Sequence, residues 1–307
     1  MGNPLSPAHE FSLRIDVRPA SDGYSLHYRH WRPVEPPRGW LLVLHGIQSH
    51  SGWYEYSATA FARAGWNVRI PDRRGSGMNS RQQTGVCPHL RFTHDVLHFL
   101  RDIQRERQQL QSVAPVLLTG ISWGGKLALQ IAQRFPELIS ALTLVTPGLI
   151  SRIRPSPIDR IRLKIARRLG LQDRKISIPL QDAGLFTSVP EFQEMIRNDP
   201  LALHEVPLSF LYASQDLDRL NQQIRQIACP LLLLLAKEDR IIDNAKTCQL
   251  LQMKAPQFQL KEYAGARHTL ELECCRDEFV ADWVGWGETL LSSAGIEMPE
   301  SILRELE

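Results

Sequence analysis

The feature of this sequence with the clearest chemical meaning is a serine between two glycines. The segment Gly120–Gly124 has the pattern G-x-S-x-G with Ser122 at its centre, and it directly follows the apolar run Pro115–Thr119. The residues behind it, Lys126–Phe135, have a helical pattern that ends before a proline. This spacing is typical of a sharp turn from a strand into a helix that holds the serine hydroxyl at its apex. The pattern predicts a nucleophilic serine; the alternative is an ordinary strand–turn–helix whose serine takes no part in chemistry.

A serine hydroxyl becomes a good nucleophile only when a histidine accepts its proton and a carboxylate orients that histidine. After a turn of this type the acid and the histidine follow in the order Asp, His, on loops at later strand ends. Asp239 follows the predicted strand Leu231–Leu235, and His268 follows the predicted strand Phe258–Tyr263. We therefore predict His268 as the general base and Asp239 as its orienting acid. Two nearby carboxylates remain as alternative acids: Glu238 and Asp243.

Acyl transfer to a serine also needs two backbone N–H groups where negative charge develops on the carbonyl oxygen. Trp123 directly follows the serine and begins the predicted helix, so its N–H is the first candidate and gains from the helix dipole. The second donor is expected in the loop His45–Gly52, after the predicted strand Trp40–Leu44. Within that loop we predict Ile47 as the donor.

Strand and helix patterns alternate along most of the chain. Two segments that alternate apolar and polar residues, Phe11–Val17 and Tyr24–Trp31, precede six continuous apolar runs that suit strands buried on both faces. Those runs are Trp40–Leu44, Asn67–Pro71, Pro115–Thr119, Ala141–Thr146, Pro230–Ala236 and Phe258–Tyr263. Helical stretches lie at Trp53–Ala64, Phe92–Leu110, Lys126–Phe135, Asn244–Met253 and Glu278–Leu291. This order predicts an α/β fold with a mostly parallel, doubly wound sheet and a site at the carboxyl ends of its strands.

One long segment interrupts the alternation. Between residues 148 and 207 the sequence has helical stretches, prolines and charges but no strong strand pattern. An insertion placed directly after a strand end is expected to form a helical lid over the site. The predicted division is a core of residues 1–147 and 208–307 and a lid of residues 148–207.

The first part of that lid is basic and amphipathic. Ser151–Gly170 contains seven Lys and Arg residues and a single acid, Asp159. Its apolar residues fall on one helical face: Ile158, Ile161, Ile165 and Leu169. Two interpretations are open. The helix rests on an anionic membrane surface, or it packs its apolar face on its own domain, which is the commoner use of such helices.

Composition limits the other functions. The 307 residues are 43% hydrophobic and 22% charged, as in ordinary globular proteins, and a net charge of +3 does not favour a nucleic-acid partner. Five cysteines without C-x-x-C spacing predict free thiols in a reducing compartment, and the N-terminus lacks a secretory signal pattern, so we expect a cytoplasmic protein. No run approaches the roughly 18 apolar residues that span a bilayer. His94 and His98 have helical metal-ligand spacing but no third ligand, so no metal or other cofactor is expected.

With these residues in place, the chain resembles the serine hydrolases of the α/β-hydrolase fold, and among them most closely the monoacylglycerol lipase and lysophospholipase group. The resemblance extends from about Tyr24 to Trp286. Its motifs are His45-Gly46, His50-Ser51-Gly52 with Tyr54, Pro71-Asp72 with Gly75 and Gly77, the G-x-S-x-G turn, Asn198-Asp199-Pro200-Leu201, Asp239 and His268. It implies hydrolysis of carboxylic esters with an apolar acyl chain, through an acyl-enzyme and without a cofactor.

The chain departs from the group's pattern at three positions. Gln48-Ser49 stands where the group usually has Gly-Glu, and Ser76 stands where it has a histidine or an arginine. These changes affect the oxyanion loop and the pocket rather than the nucleophile, acid and base. Two other functions remain open on the sequence: transfer of the acyl group to an acceptor other than water, and a non-catalytic binding role.

Overall fold

The computed structural model describes residues 9–79, 88–153, 156–255 and 257–293. Its strands are, in chain order, β1 (Phe11–Pro19), β2 (Ser25–Pro33), β3 (Gly39–Leu44), β4 (Trp66–Pro71), β5 (Val116–Ile121), β6 (Ala141–Val145), β7 (Lys175–Ser177), β8 (Glu205–Pro207), β9 (Leu231–Ala236) and β10 (Gln259–Tyr263). Its helices are α1 (Glu55–Arg63), α2 (His89–Gln109), α3 (Trp123–Arg134), α4 (Pro157–Arg168), α5 (Pro190–Asn198), α6 (Leu208–Gln223), α7 (Asn244–Lys254) and α8 (Arg276–Ser293). Within the described ranges, none of these helices has the length and apolar character needed to cross a membrane.

Eight strands form one sheet in the order β1-β2-β4-β3-β5-β6-β9-β10. β1 pairs antiparallel with β2, and β2 with β4, whereas the other neighbours are parallel. The chain steps from β3 to β4 and then returns past β3 to β5. Because such crossovers are right-handed, this reversal places α1 and α2 on opposite faces of the sheet. The predicted mostly parallel, doubly wound sheet is confirmed.

The central parallel strands carry the apolar runs because helices cover both of their faces. Every residue of β3, β5, β6 and β9 is buried. The last predicted strand is present as β10, but the prediction that it is buried on both faces was wrong, since four of its five residues are exposed. β10 lies at the edge of the sheet and pairs only with β9 among the described strands, so it has less cover.

The segment between β6 and α6 holds α4, β7, α5 and β8. The expectation that no strand occurs here was wrong, because β7 pairs antiparallel with β8 in a small separate sheet. Each of these strands has three residues, which is too short for an alternating pattern to show in the sequence. The division into core and lid stays a prediction.

Candidate active site

Ser122 lies at the predicted turn between β5 and α3. Its backbone has φ 50° and ψ −119°, a left-handed conformation that residues with a Cβ seldom adopt. The turn is tight because α3 starts against the end of β3: a Cβ at Gly124 would lie 2.0 Å from the carbonyl oxygen of Leu44. The carbonyl oxygen of Ser122 accepts hydrogen bonds from the N–H groups of Gly125 and Gly148. The strained residue is therefore held on both sides, and its side chain projects from the turn.

The structure brings the predicted base and acid to this serine. Nε2 of His268 lies 2.8 Å from Oγ of Ser122, and Nδ1 of His268 lies 2.8 Å from Oδ2 of Asp239. The other carboxylate oxygen of Asp239 accepts from the N–H groups of Ile241 and Ile242, at 2.7 and 2.9 Å. Asp239 thus accepts on both oxygens, and this fixes the orientation of its carboxylate. These contacts form one hydrogen-bonded chain from a buried carboxylate to the serine hydroxyl.

Neither alternative acid takes the place of Asp239. Oδ1 of Asp243 accepts from the N–H of Lys246 and caps the N-terminus of α7. Glu238 is exposed and joins its neighbours through its backbone, whose N–H donates to Ala266. Asp239 is the carboxylate that contacts the histidine.

His45 controls the orientation of the loop that contains Ile47. The N–H of Arg73 donates to Nε2 of His45, at 2.9 Å, so the ring proton lies on Nδ1 and donates to the carbonyl oxygen of Gly46, at 2.8 Å. In a trans peptide the C=O and the next N–H point in opposite directions. The N–H of Ile47 therefore points away from the His45 ring. Burial and the nearby Arg73 charge lower the pKa of His45 to about 4, which keeps this ring neutral.

The guanidinium of Arg73 contacts both residues that were predicted as backbone donors. Nη2 of Arg73 donates to the carbonyl oxygen of Ile47, at 2.9 Å. The same guanidinium lies 5.1 Å from the centroid of the Trp123 ring and 4.5 Å from that of Phe210. Neither the N–H of Ile47 nor that of Trp123 donates to an acceptor in the described part of the chain.

Ser49 and Ser76, two of the residues that depart from the group's pattern, make specific hydrogen bonds. Ser49 accepts a hydrogen bond from the N–H of Gly46, at 3.1 Å, and pairs with the hydroxyl of Tyr54, at 2.9 Å. Ser76 donates to the carbonyl oxygen of Arg73 and lies 3.2 Å from Nε2 of His45. Both serines therefore support the loop that carries Ile47, where larger polar side chains are usual in the group.

The Asn198–Leu201 motif joins the inserted segment to this loop. Oδ2 of Asp199 accepts from the indole of Trp53, at 2.5 Å, and pairs with Nε2 of His50, at 3.0 Å. Although burial alone raises the pKa of Asp199, the hydrogen bonds from His50 and Trp53 lower it to about 2. The N–H of Leu203 donates to the carbonyl oxygen of Gln48. The end of the inserted segment is thus fixed to the predicted oxyanion loop.

A cavity of about 1440 Å³ opens in front of Ser122. Ile47 and Trp123 line it beside the serine, and most of its other walls come from the segment between β6 and α6. Aliphatic side chains form much of this surface, including Leu149, Ile153, Leu163, Ile178, Leu180, Val206, Leu208, Leu211 and Ile242. Such a space suits a long apolar group of a ligand that is bound next to Ser122.

Residues 35–274 match the serine aminopeptidase, S33 (Hydrolase_4) family. The chain belongs to this family. The matched range contains the serine turn, Asp239 and His268.

Several relatives of this family member are monoacylglycerol lipases by name. A monoglyceride lipase of Homo sapiens is 27% identical over 257 residues, which cover 82% of this chain and 82% of that protein. A monoacylglycerol lipase of Mycolicibacterium smegmatis is 27% identical over 267 residues, 86% of this chain and 93% of that protein. A solved structure of a soluble variant of monoglyceride lipase from Saccharomyces cerevisiae, in complex with a substrate analog, has a TM-score of 0.80 at 19% identity, covering 94% and 99% of the two chains.

Family, relatives and fold together identify an ester-hydrolysing serine hydrolase of the α/β-hydrolase fold. The predicted fold and reaction class are confirmed. The two other functions left open by the sequence, acyl transfer and non-catalytic binding, are not favoured by these relatives.

Sequence reasoning missed two residues that support the site. Arg73 directly follows Pro71-Asp72 at the end of β4, and this is the same kind of position that identified Asp239. Glu271 lies three residues after His268 and is buried, with Oε1 accepting from the N–H of Ser57, at 2.9 Å. In the sequence it is one more acid in an acidic stretch. Within the described ranges no group of three or more His, Cys, Asp or Glu residues is placed to hold a metal ion, and His94 and His98 lie on α2.

Glu271 makes the stability of the site depend on pH. Burial raises its pKa from 4.5 to about 7, so the folded protein holds a proton that the unfolded chain has already released. The stabilisation is complete below pH 4.5 and is lost as the pH rises towards 7. Relative to a Glu271→Gln variant, the free energy of unfolding of the wild type should fall by about 3 kcal/mol across this interval.

Urea unfolding of both proteins at a series of pH values measures this difference. Glu137→Gln changes an exposed glutamate and serves as the control, with a profile parallel to that of the wild type. Parallel profiles for Glu271→Gln and the wild type would show that the pKa of Glu271 is the same in the folded protein as in the unfolded chain.

Proposed function

We propose that the protein hydrolyses carboxylic esters with long apolar acyl chains, with Ser122 as nucleophile, His268 as general base and then general acid, and Asp239 as the residue that orients His268. The observation that carries this proposal is the continuous hydrogen-bonded chain from Asp239 to Oγ of Ser122, which ends at the aliphatic cavity. A buried acceptor–imidazole–hydroxyl chain of this kind is what activates a serine for attack on a carbonyl.

The reaction has two halves. Oγ of Ser122 attacks the ester carbonyl carbon while Nε2 of His268 accepts its proton, and the collapse of the tetrahedral intermediate expels the alcohol, which takes that proton from His268. A water molecule then attacks the acyl-enzyme, giving its proton to His268, and the carboxylic acid leaves as the proton returns to Ser122. Asp239 stabilises the imidazolium in both halves without accepting its proton.

The N–H groups of Ile47 and Trp123 are proposed to bind the carbonyl oxygen as it becomes negative. The N–H of Trp123 is at the first residue of α3, where helix geometry leaves it without an intrahelical acceptor. The N–H of Ile47 is aimed by the bond from His45 to Gly46, on the preceding peptide. Arg73 supports the assignment because it holds the Ile47 carbonyl and stacks near Trp123 at the same time.

The proposed substrates are monoacylglycerols, with lysophospholipids as the second choice. The size and aliphatic walls of the cavity support an acyl chain of a fatty acid rather than a short acid. The relatives that are named monoglyceride lipases support the same class.

Three substitutions test the catalytic assignment. Ser122→Ala should abolish both ester hydrolysis and labelling by a fluorophosphonate probe, since it removes the attacking oxygen. Asp239→Asn should lower kcat by about 10⁴, because the amide stabilises the wrong tautomer of His268. Asp243→Asn is the matched control, since asparagine also caps a helix, and its kcat should stay within about twofold of the wild type. A labelled Ser122→Ala protein would show that another residue is the nucleophile.

Acyl chain length tests the substrate class. With nitrophenyl esters, kcat/KM should rise by about two- to fourfold for each added methylene, because each buried CH₂ contributes about 0.8 kcal/mol at most. The rise should continue to medium or long chains and be matched by activity on monoacylglycerols. Highest kcat/KM with the acetyl ester would contradict the proposal.

The inserted residues 148–207 are proposed to act as a lid that contacts an anionic lipid surface through α4. The apolar side chains of α4 are largely exposed: Ile158, Ile161, Ile165 and Leu169 are 62, 58, 50 and 67% exposed, and the last two also line the cavity in front of Ser122. Basic side chains of the same helix, Arg162 and Arg167 among them, are also largely exposed. An exposed apolar stripe flanked by cations complements the boundary between headgroups and acyl chains of an anionic membrane.

Flotation with vesicles of phosphatidylglycerol and phosphatidylcholine tests this contact. The double variant Ile158→Ser/Ile161→Ser should lose at least about tenfold in the bound fraction, since each side chain contributes on the order of 1.5 kcal/mol or more when it enters the acyl region. Leu110→Ser/Val113→Ser, which changes two exposed apolar residues after α2, is the control and should bind as the wild type does. Equal binding by all three proteins would exclude α4 as the contact.

A cytoplasmic location is also proposed. The four cysteines in the described ranges, Cys229, Cys248, Cys274 and Cys275, are free thiols, while Cys87 lies outside those ranges. Free thiols are usual in a reducing compartment.

A further inference from the structure

The cavity in front of Ser122 is not lined by apolar residues alone. More than half of its lining residues are apolar, yet Lys126 of α3 and Ser214 and Asp218 of α6 face the same space. We call these three residues the polar cluster. The reaction described above uses none of them, so a charged pair beside an aliphatic cavity needs its own explanation.

The polar cluster lies close to the reacting serine. Lys126 lies in the first turn of α3, four residues after Ser122, and both residues line the cavity. Nζ of Lys126 is 2.6 Å from Oδ1 of Asp218 and 3.2 Å from Oγ of Ser214. The indole N–H of Trp123 donates to the same oxygen of Ser214, at 3.1 Å. The polar cluster is therefore joined directly to the residue that follows the nucleophile.

The polar cluster has hydrogen-bonding capacity left for a ligand. An ammonium group has three donors, and the contacts of Lys126 to Ser214 and Asp218 use two of them. Oδ2 of Asp218 accepts no hydrogen bond from the described residues, and this side chain is 38% exposed because it faces the cavity. Burial raises the pKa of Asp218 although Lys126 lowers it. A hydroxyl group both accepts and donates a hydrogen bond, so it can pair with the remaining donor of Lys126 and with Oδ2 of Asp218.

We propose that the polar cluster is a subsite for a hydroxyl group of the substrate, with Lys126 donating to the hydroxyl oxygen and Asp218 accepting the hydroxyl hydrogen. This inference rests on the proposed ester hydrolysis at Ser122. The hydroxyl belongs to the alcohol part of the ester, as in a monoacylglycerol, or to a hydroxylated acyl chain. The recognition chemistry is the same in both.

The charges of the polar cluster favour a neutral hydroxyl over an anion or an alkyl chain. Lys126 and Asp218 neutralise each other, so a phosphate or carboxylate would gain little from Lys126 while facing Asp218 at short range. An alkyl chain next to the polar cluster would remove water from both ions without replacing its hydrogen bonds, which is unfavourable. A hydroxyl replaces that water with a donor and an acceptor.

Two pairs of substrates test the subsite and separate its two sources. The first pair is monolauroylglycerol and propyl laurate, which differ in the hydroxyls of the alcohol. The second pair is the nitrophenyl esters of ω-hydroxylauric and lauric acid, which differ in a hydroxyl on the acyl chain. For each pair the measurement is the ratio of kcat/KM for the hydroxylated and the unhydroxylated ester, which does not depend on the fraction of active enzyme.

In the wild type one of these ratios should exceed that of the double variant Lys126→Met/Asp218→Leu by about tenfold or more, as expected for hydrogen bonds to charged groups. A lower ratio for the first pair in the double variant would show that the alcohol part of the ester binds at the subsite. A lower ratio for the second pair would show that the acyl chain binds there. Asp218→Asn, which retains the shape of the side chain, should show a smaller fall in the same ratio and carries the test if the double variant does not fold. Arg197→Met/Glu194→Leu removes an exposed ion pair on α5 and should leave both ratios unchanged.

Ratios that are equal in the wild type and the double variant would overturn the subsite while leaving ester hydrolysis intact. A wild type that hydrolyses none of the four esters would instead contradict the proposed function. The two failures are therefore distinguishable in one set of assays.

Discussion

The close approach of α3 to the end of β3 is the constraint on which the site depends. Gly124 allows that approach, since a Cβ there would lie 2.0 Å from the carbonyl oxygen of Leu44 and 2.8 Å from that of His45. The same approach brings Gly46 next to the serine, because a Cβ built on Gly46 would lie 3.2 Å from Cβ of Ser122. The positive φ of Ser122 and the position of the oxyanion loop are thus consequences of one packing contact. If α3 began half a turn further from β3, Ser122 and Gly46 would no longer be in contact.

In the loop that follows β3, the peptides around Gly46 are held by neutral groups. His45, Ser49 and Tyr54 support the peptides around Gly46, and burial keeps His45 neutral by lowering its pKa to about 4. Neutral hydrogen bonds in a buried site avoid the desolvation penalty of charges and do not change over the ordinary pH range. Arg73, which holds the Ile47 carbonyl, has its guanidinium against aromatic rings, where stacking compensates for lost water. The orientation of the Ile47 N–H is therefore insensitive to pH over the ordinary range.

The ends of the central strands could be predicted from the sequence, because a parallel strand that is buried on both faces has a continuous apolar sequence. The carboxyl ends of these strands lie at the same edge of the sheet, so the residues that follow them are close together. Ser122 and Asp239 follow such runs, and each lies 2.8 Å from a ring nitrogen of His268. β10 did not fit this rule because an edge strand needs no apolar run on both faces. The polar cluster was not predictable, since Ser214 and Asp218 belong to a helix whose position over α3 is set by tertiary packing. Their i, i+4 spacing alone is also that of an exposed helix face.

An apolar cavity by itself discriminates weakly between esters. One methylene in a hydrophobic pocket changes transition-state binding by only about 1–3 kcal/mol, and a hydrophobic wall rejects a hydroxyl poorly. Buried polar groups discriminate much more strongly, because a substrate that does not pair with them leaves them desolvated and without partners. Lys126 and Asp218 become such groups when a substrate fills the cavity and covers them, since they line it together with the aliphatic residues. A substrate with one hydroxylated end and one alkyl end then has a single orientation in which both parts are matched, and this orientation determines which ester bond is presented to Ser122.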